Sequence, residues 1–252
     1  MIYAVDIGNT NICVAGFMDE YEPVFIKNIP DNLCHTAQEM ISELRKLPYS
    51  PDGAVLCSVV PALTALVKAA LDDITDGRVV VIDSGFYDGL ALAGYDRNKL
   101  GNDRVADMTA VKKLYGVPAV VFDMGTATTV SVIDREGVFI GGMILPGLGL
   151  SINALSSGTA LLPGINPSAP NSLLGQDTKS CINNGVIYSQ ASSVEGICMR
   201  VENELGEKVN TVVTGGAAKF ILPVCMRQVI YDRYLLLKGL KILYDNRTES
   251  FS

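Results

Sequence analysis

The sequence predicts an α/β protein built from two similar halves. Short, almost entirely apolar segments alternate with helical segments, which is typical of an interior sheet whose strands are buried on both faces. An apolar strand followed by Asp-x-Gly and a polar turn occurs twice, at Asp6–Gly8 and at Asp123–Gly125, 117 residues further on. We therefore predict one half over residues 1–116 and a second over residues 117–252, with the terminal helix packing back on the first half.

The elements of the first half follow from apolar runs bounded by turn residues. Short β-branched runs predict strands at Ile2–Ile7, Asn11–Phe17, Pro23–Lys27, Ala54–Val60 and Arg78–Asp83. Apolar residues at helical spacing predict helices at Thr36–Leu47 and Pro61–Asp72, the second with proline at its start. One more predicted helix carries Val105, Met108, Val111 and Leu114.

The second half repeats this alternation. Its predicted strands are Pro118–Asp123, Thr128–Ile133, Val138–Met143, Val209–Val213 and Gln228–Tyr231. The terminal helix is predicted at Tyr234–Tyr244. Leu145–Gly175 is rich in glycine, proline and serine, so we expect a functional loop-and-helix region there rather than a tether.

Composition disfavours several classes of protein. The chain carries 27 acidic and 20 basic side chains, a formal net charge of −7, whereas a non-specific nucleic-acid binder needs a basic face. No apolar run approaches the roughly 20 residues that a membrane-spanning helix needs. Asp6 interrupts the first apolar run before an export signal could form. We expect neither a nucleic-acid nor a membrane partner.

The cysteines indicate a reducing compartment. They are widely spaced and form no Cys-x-x-Cys pair: Cys13, Cys34, Cys57, Cys181, Cys198 and Cys225. This spacing favours reduced core thiols over a disulfide framework or a zinc site. We therefore expect a cytoplasmic protein.

The first Asp-x-Gly motif, Asp6–Asn11, has the chemistry of a phosphate-binding turn. Gly8 lets backbone approach a ligand closely, and the amide and hydroxyl side chains that follow stand beside exposed backbone N–H donors. An ionised Asp6 would repel phosphate unless a cation such as Mg²⁺ were held there through water. The alternative is a simple hairpin closed by an Asx turn.

The second motif, Asp123–Thr129, offers the same groups. Its threonines are also common in ordinary strands, so the alternative of a plain hairpin stays open here too. If the two turns face one cleft, they can hold the two ends of a polyphosphate.

A third group of residues combines Tyr95 with Gly101-Asn102-Asp103-Arg104. Asn102 or Asp103 could simply cap the helix that follows. Alternatively, Asp103 is a general base at a helix N-terminus and Arg104 is an anion clamp beside it. A guanidinium and a helix N-terminus both stabilise the charged carboxylate that a base requires.

Two smaller motifs also have two interpretations. The glycines of Thr214-Gly215-Gly216 allow close approach of a flat ring such as adenine, or tight packing of a strand on a helix. Thr178 is either a helix cap or a substrate contact.

Other catalytic schemes lack parts. His35 is the single histidine, and the chain has no Gly-x-Ser-x-Gly elbow, no Walker motif and no complete Gly-x-Gly-x-x-Gly. Phosphoryl transfer is the chemistry for which the parts are present.

These motifs, in this order over nearly the whole chain, resemble the type III pantothenate kinase family. Further segments that fit the family are Cys57–Pro61, Gly141–Gly147, Thr214–Gly216 and Leu236–Leu240. The resemblance implies duplicated ribonuclease H-like domains, as in actin-like ATPases, facing a nucleotide cleft. It also implies ATP-dependent phosphorylation of pantothenate to 4'-phosphopantothenate, the first step of coenzyme A biosynthesis, in a cytoplasmic homodimer.

The resemblance also assigns roles, with Asp103 as the general base. The residues implied to bind pantothenate are Tyr95, Gly101, Asn102, Asp103, Arg104 and Thr178. Those implied to bind ATP are Asp6, Ile7, Gly8, Asn9, Thr10, Asn11, Ile12, Cys13 and Thr126. Asp123 would hold a monovalent cation, K⁺ or NH₄⁺, and Asp6 would hold Mg²⁺ through water.

One departure is Ser131, where many relatives are expected to have an acidic residue. The rival interpretations are another small-molecule kinase of the same fold and a non-catalytic nucleotide-binding regulator. The first has no reason to carry Tyr95 with Gly101–Arg104, and the second would be expected to have lost Asp6, Asp103 or Asp123.

Overall fold

The computed structural model describes residues 1–8, 11–30, 35–83, 86 and 90–249. The chain divides into two compact units. Unit 1 consists of Met1–Leu90, Tyr95–Lys113 and Tyr234–Ser252, and unit 2 of Ala91–Gly94 and Leu114–Arg233. The terminal helix therefore belongs to unit 1.

Unit 1 contains a five-stranded mixed sheet in the order β3-β2-β1-β4-β5. Its strands are β1 (Ile2–Ile7), β2 (Asn11–Phe17), β3 (Phe25–Pro30), β4 (Gly53–Ser58) and β5 (Val79–Ile82). Its helices are α1 (Ala37–Leu44), α2 (Pro61–Thr75), α3 (Asn102–Leu114) and α7 (Leu235–Glu249), with a 3-10 turn at Arg97–Lys99. β1 pairs antiparallel with β2 and parallel with β4.

The two faces of β1 have different partners. Tyr3, Val5 and Ile7 are fully buried in a core that includes residues of α1 and α2. Asp6 alternates with them and lies on the opposite face. Gly53 of β4 shares that second face, and a Cβ on it would lie 2.2 Å from the Tyr244 hydroxyl of α7. α7 therefore covers the face of the sheet that carries Asp6.

Unit 2 contains a six-stranded mixed sheet in the order β11-β10-β7-β8-β9-β6. Its strands are β6 (Ala91–Leu92), β7 (Ala119–Met124), β8 (Ala127–Ile133), β9 (Val138–Pro146), β10 (Asn210–Thr214) and β11 (Ile230–Tyr231). Its helices are α4 (Leu148–Ser157), α5 (Thr178–Leu205) and α6 (Ala218–Ile221), with a 3-10 turn at Leu222–Val224. Val120, Phe122 and Met124 of β7 join a core that also contains Val194 and Cys198 of α5.

The two sheets repeat one topology. β1 and β7 are each flanked by an antiparallel strand that follows along the chain, β2 or β8, and by a parallel strand from later in the unit, β4 or β10. β3 and β9 then pair antiparallel, and β5 and β11 parallel, at corresponding positions. The predicted α/β duplication is confirmed at the level of strand order.

Several predicted boundaries are wrong. The third strand is Phe25–Pro30 rather than Pro23–Lys27, since β2 pairs with Phe25 to Pro30 in one continuous ladder. β9 runs on to Pro146 because β8 pairs with it over that length. β11 keeps only two of the residues predicted in Gln228–Tyr231.

The described cysteines Cys13, Cys57, Cys181, Cys198 and Cys225 carry free thiols, as predicted, and Cys34 lies outside the described residues. The prediction of core positions is wrong for Cys181, which is exposed. Within the described part of the chain, no helix combines the length and the apolar character needed to cross a bilayer.

Candidate active site

The first phosphate motif lies where β1 ends. Asp6 is in register with Cys13 of β2 on one side and with Cys57 of β4 on the other. Residues in register on neighbouring strands point to the same face of a sheet, so a thiol flanks the half-buried Asp6 carboxylate on each side. This row of side chains places the motif's acidic group at the carboxyl end of the central strand.

The turn after β1 is closed by the Gly8 N–H, which donates to the Asn11 carbonyl at 3.1 Å. Asn11 is exposed, whereas the side chains of Ile7 and Ile12 are fully buried. A ligand at this turn can therefore reach only the backbone of those two isoleucines. Two of the predicted ATP contacts lie outside the described residues: Asn9 and Thr10.

The second phosphate motif has the same construction in unit 2. Asp123 is in register with Thr129 of β8 and Thr214 of β10, so hydroxyls stand where the first motif has thiols. The Gly125 N–H donates to the Ala127 carbonyl at 3.1 Å and closes the turn. Each unit therefore ends its central strand in an aspartate and a glycine-closed turn.

Gly147, which precedes α4, packs directly on the second turn. A Cβ at this position would lie 2.3 Å from the Thr126 carbonyl oxygen and 2.4 Å from that of Gly125. The Gly147 N–H donates to the same Thr126 carbonyl at 3.1 Å. Thr126 itself is exposed, so this contact holds the turn in place without covering the predicted ATP-binding residue.

The two glycines after β10 have different roles. Gly215 has a φ of 92°, and a Cβ on it would lie 2.5 Å from the Met124 carbonyl carbon. Both the backbone conformation and the tight packing at this position therefore require glycine. The Ala217 N–H also donates to the Met124 carbonyl, at 3.1 Å. Gly216 has no described atom within 4 Å of its Cβ position. The adenine interpretation stays a prediction for Gly216, and packing explains Gly215.

An arginine that the sequence analysis missed braces the turn before α3. Arg97 donates to the carbonyls of Leu100 at 3.3 Å and Asp83 at 3.4 Å, and to Asn102 Oδ1 at 3.0 Å. Asn102 therefore has a side-chain partner on the preceding turn. Sequence offers little signal for such a role, because an arginine in a polar turn is most often solvated.

Asp103 lies in the first turn of α3 and is half-buried. Its Oδ1 accepts a hydrogen bond from the Arg104 N–H at 2.8 Å. A Cβ on Gly101 would lie 2.3 Å from the same oxygen, so the glycine leaves space for this orientation of the carboxylate. Arg104 is buried, with 8% of its surface exposed.

The charges of Asp6 and Asp103 both act on the Cys57 thiol in unit 1. Burial raises the pKa of the Cys57 thiol above its usual range, and the negative charges of Asp6, Asp103 and Asp107 raise it further. Asp107 is 3% exposed and lies one turn after Asp103 on α3. The sequence analysis missed Asp107, although its spacing of four residues from Asp103 places both on one side of the helix.

The remaining predicted substrate contacts lie at the ends of elements. Tyr95 is 39% exposed, just before the 3-10 turn. Thr178 is the exposed first residue of α5, but it is not the cap. Asp177 caps the helix, because its side chain accepts hydrogen bonds from the Lys179 and Ser180 N–H groups at 2.9 and 3.1 Å.

A polar cavity of about 700 Å³ lies in unit 2 within residues 164–184. Two buried asparagines of α5 hold its wall: Asn183 pairs with both backbone groups of Ser168 at 2.9 Å, and Asn184 donates to the Ser172 carbonyl at 2.7 Å. The described residues that line it include none of the predicted substrate or ATP contacts. Thr178 itself is not among these lining residues, but its chain neighbours Asp177 and Lys179 are.

Ser131 is 3% exposed and lies on the same face of the sheet as Asp123, two residues along the neighbouring strand. An acidic residue there would add a second charge on that face, at roughly 7 Å by strand spacing. In this chain Asp123 is therefore without that acidic neighbour.

The single histidine serves a helix end. The backbone N–H of His35 donates to the Glu39 carboxylate at 2.9 Å, beside the capping box of α1. Within residues 1–8, 11–30, 35–83, 86 and 90–249, no group of three or more His, Cys, Asp and Glu side chains is arranged to hold a metal ion.

The fold is that of actin-like ATPases and sugar kinases. A Baf family protein from Campylobacter jejuni superposes with a TM-score of 0.61 at 21% identity, covering 98% of this chain and 99% of that chain. A ROK family glucokinase from Streptomyces griseus, in complex with glucose and AMPPNP, gives 0.53 at 12% identity, covering 97% and 98%. At these identities the likeness is one of fold, and it defines the structural class to which the repeated units belong.

Sequence comparison then defines the family. The family model described as Type III pantothenate kinase matches residues 2–200. The Type III pantothenate kinase of Moorella thermoacetica is 36% identical over 257 residues, covering 98% of this chain and 100% of that protein. The chain belongs to the type III pantothenate kinase family.

Proposed function

We propose that this chain phosphorylates pantothenate to 4'-phosphopantothenate at the expense of ATP, the first step of coenzyme A biosynthesis. The observation that carries the proposal is that Asp6 is in register with Cys57 and that Asp103, on α3, lies near enough for its charge to act on the same thiol. That arrangement supports a hydroxyl-activating carboxylate beside a phosphate-binding turn. Family membership supports pantothenate as the acceptor.

In the proposed mechanism Asp103 receives the proton of the pantothenate hydroxyl. The hydroxyl oxygen forms a bond to the γ-phosphorus while the bond from that phosphorus to the β–γ bridging oxygen breaks. The bonding electron pair leaves with ADP, and the proton passes to an oxygen of the Asp103 carboxylate. The hydrogen bond from the Arg104 N–H to Oδ1 fixes the orientation of that carboxylate.

ATP binding is assigned to the two Asp-x-Gly turns. In unit 1 it involves Asp6 to Cys13, with backbone as the contact surface at the buried isoleucines, and in unit 2 it involves Thr126. Phosphate oxygens accept hydrogen bonds from N–H groups of such turns without any charged side chain. Gly147 packs on the carbonyls of the second turn, and Gly215 packs on Met124, the residue before that turn.

The donor groups at the two aspartates fit the implied cations differently. Asp123 is flanked in register by Thr129 and Thr214, whose hydroxyl oxygens suit K⁺ or NH₄⁺. Asp6 lies between two thiols, which are poor ligands for Mg²⁺, so it would hold that ion through water. When bound, these cations would offset the negative charge of the phosphates.

Pantothenate binding is assigned to Tyr95, to Gly101–Arg104 and to Thr178. We further propose that the active form is a cytoplasmic homodimer. Large apolar side chains of unit 2 that would be costly to leave in water support a second copy of the chain as partner: Ile144, Leu150, Leu161, Leu173 and Leu174. The net charge of −7 favours neither nucleic acid nor an anionic membrane as a partner.

The test of the acceptor is transfer of labelled γ-phosphate from ATP. Pantothenate is expected to be phosphorylated with ordinary kinase turnover, on the order of 1–100 s⁻¹, and glucose and glycerol to give background counts. Phosphorylation of a sugar in preference to pantothenate would identify another kinase of this fold. Nucleotide binding without transfer to any acceptor would identify a regulator.

The same assay tests the monovalent cation. Turnover in K⁺ or NH₄⁺ is expected to exceed turnover in Na⁺-only buffer by roughly tenfold, because a cation at Asp123 stabilises charge that develops on the phosphates. Asp123→Asn should lose most of this difference, while Glu136→Gln, at an exposed carboxylate in the same unit, should retain it. Equal rates in Na⁺ and K⁺ for the unaltered chain would contradict the assignment.

A further inference from the structure

We propose that Gly239 of α7 is a positioning residue for phosphoryl transfer, because its missing side chain sets how deeply α3 sits and hence where Asp103 lies. This inference rests on the proposed role of Asp103. Gly239 is remote from both Asp-x-Gly motifs in the sequence, and nothing about its own chemistry involves it in catalysis. Its contribution is to let α7 and α3 pack closely against each other in unit 1.

The contact is between backbones. A Cβ on Gly239 would lie 1.9 Å from the Ala106 carbonyl oxygen, 2.5 Å from its carbonyl carbon and 3.0 Å from its Cα. All three atoms belong to the α3 backbone, so no rotation of a side chain could relieve the overlap. Ala106 is fully buried, which leaves no solvent-filled space beside the contact. Any side chain at residue 239 must separate the two helices by about 1 Å.

α7 is packed tightly into unit 1. Lys238, adjacent to the contact, is buried and forms an ion pair with Glu22. Leu235, Leu240 and Leu243 of the same helix are essentially inaccessible to solvent. A helix held through its apolar face and a buried lysine resists displacement, so α7 cannot absorb the whole overlap and a Cβ at residue 239 would push α3 as well.

Displacement of α3 would reach Asp103 directly. Ala106 and Asp103 are three residues apart in one hydrogen-bonded turn, and a helical turn moves as a unit. On the other side of Asp103, Arg97 ties Asn102 to the preceding turn, so the helix start cannot simply follow the shift. The carboxylate would therefore change its position and tilt relative to β1 and the Asp6 motif.

A glycine inside a helix lowers the stability of that helix by about 1 kcal/mol relative to alanine. Its presence therefore needs a structural explanation. Gly196 of α5 has no described atom near its Cβ position, so alanine there gains helix propensity without a steric cost. A Cβ on Gly53 of β4 would meet chiefly the Tyr244 hydroxyl of α7, the end of a side chain that can move aside, and would lie 3.3 Å from the Arg78 carbonyl oxygen. Gly196→Ala is therefore the control for helix propensity. Gly53→Ala is the control for a change in the packing of α7 that does not involve α3.

The experiment compares Gly239→Ala, Gly53→Ala, Gly196→Ala and Asp103→Asn by steady-state kinetics and thermal unfolding. Gly239→Ala is expected to lower kcat by roughly 10–100-fold, with the KM for ATP changed less than about threefold, because misplacement of a reacting group by 1 Å has costs of this size. Gly53→Ala should lower the melting temperature with kcat nearly unchanged. Gly196→Ala should lower neither.

A normal kcat in Gly239→Ala, with Asp103→Asn inactive, would overturn the inference and leave the base assignment intact. So would a loss of kcat in Gly53→Ala as large as that in Gly239→Ala at a similar fall in melting temperature. Normal turnover in Asp103→Asn would overturn the base assignment and the inference together, and absence of pantothenate phosphorylation by the unaltered chain would overturn the proposed function. If Gly239→Ala does not fold in buffer, all variants are assayed in trimethylamine N-oxide, which favours compact states, and the same outcomes apply.

Discussion

Replacing Asp103 with asparagine is expected to lower kcat by roughly 10²–10⁴-fold, the usual contribution of a positioned general base. The amide keeps the size of the side chain and its Oδ1 can still accept from the Arg104 N–H, so the first turn of α3 should be preserved. What is lost is an oxygen able to take the hydroxyl proton. Because the first ATP-binding motif lies on β1 and β2, the KM for ATP should change by less than about threefold.

The matched control is Asp107→Asn on the same helix. Asp107 is also a buried carboxylate whose charge acts on Cys57, so this variant removes the same charge one turn further along. Its kcat should stay within about fivefold of the original value, since it is not the proposed proton acceptor. Equal losses in the two variants would indicate that negative charge near Asp6, rather than proton transfer, is what turnover requires. Near-normal turnover in Asp103→Asn would remove Asp103 from the role of base.

Gly147→Ala is expected to lower kcat/KM for ATP by roughly 10²-fold, because the second phosphate turn would have to shift by about 1 Å. The added methyl group would meet two backbone carbonyl oxygens, those of Thr126 and Gly125, and neither can rotate away as a side chain would. The hydrogen bond from the Gly147 N–H to Thr126 would be strained by the same movement. The measurement is the initial rate against ATP concentration at saturating pantothenate.

Gly149→Ala, two residues further on, is the control. Its Cβ position has no described atom within 4 Å, and the residue lies in the first turn of α4. Alanine there should leave the kinetics unchanged and raise the melting temperature slightly, because it favours the helix. If both variants kept the original kcat/KM, the packing of Gly147 on the turn would have no bearing on ATP binding.

The architecture was largely predictable because its signals are local. Apolar runs, turn residues and the two Asp-x-Gly motifs occupy contiguous stretches, and the repeat of the motifs predicts the repeat of the β1-β2 and β7-β8 hairpins. The boundaries that were wrong depend on pairing partners. Phe25–Pro30 is a strand because β2 runs alongside it, although Pro23–Lys27 has comparable strand chemistry.

The site was predictable where chemistry is carried by residue type. Carboxylates and glycines in turns predicted Asp6, Asp103 and Asp123 as candidates, and their roles remain predictions. Of the two interpretations left open for Thr178, the structure excludes the helix cap, because Asp177 caps α5. Neighbouring residues can each satisfy a helix N-terminus, and only the backbone geometry selects one of them. Arg97 carried no comparable signal, and Asp107 carried only its spacing of four residues from Asp103.

The sequence by itself determined the duplicated α/β architecture, the positions of the strands that carry Asp6 and Asp123 near their ends, and the family. Each of these depends on motifs made of contiguous residues. The tertiary structure alone decided which glycines are steric requirements. Gly215 meets Met124, and Gly239 meets Ala106, across long separations in the chain. A glycine's need to lack a side chain depends on what packs against it, and that partner is determined only when the elements are assembled.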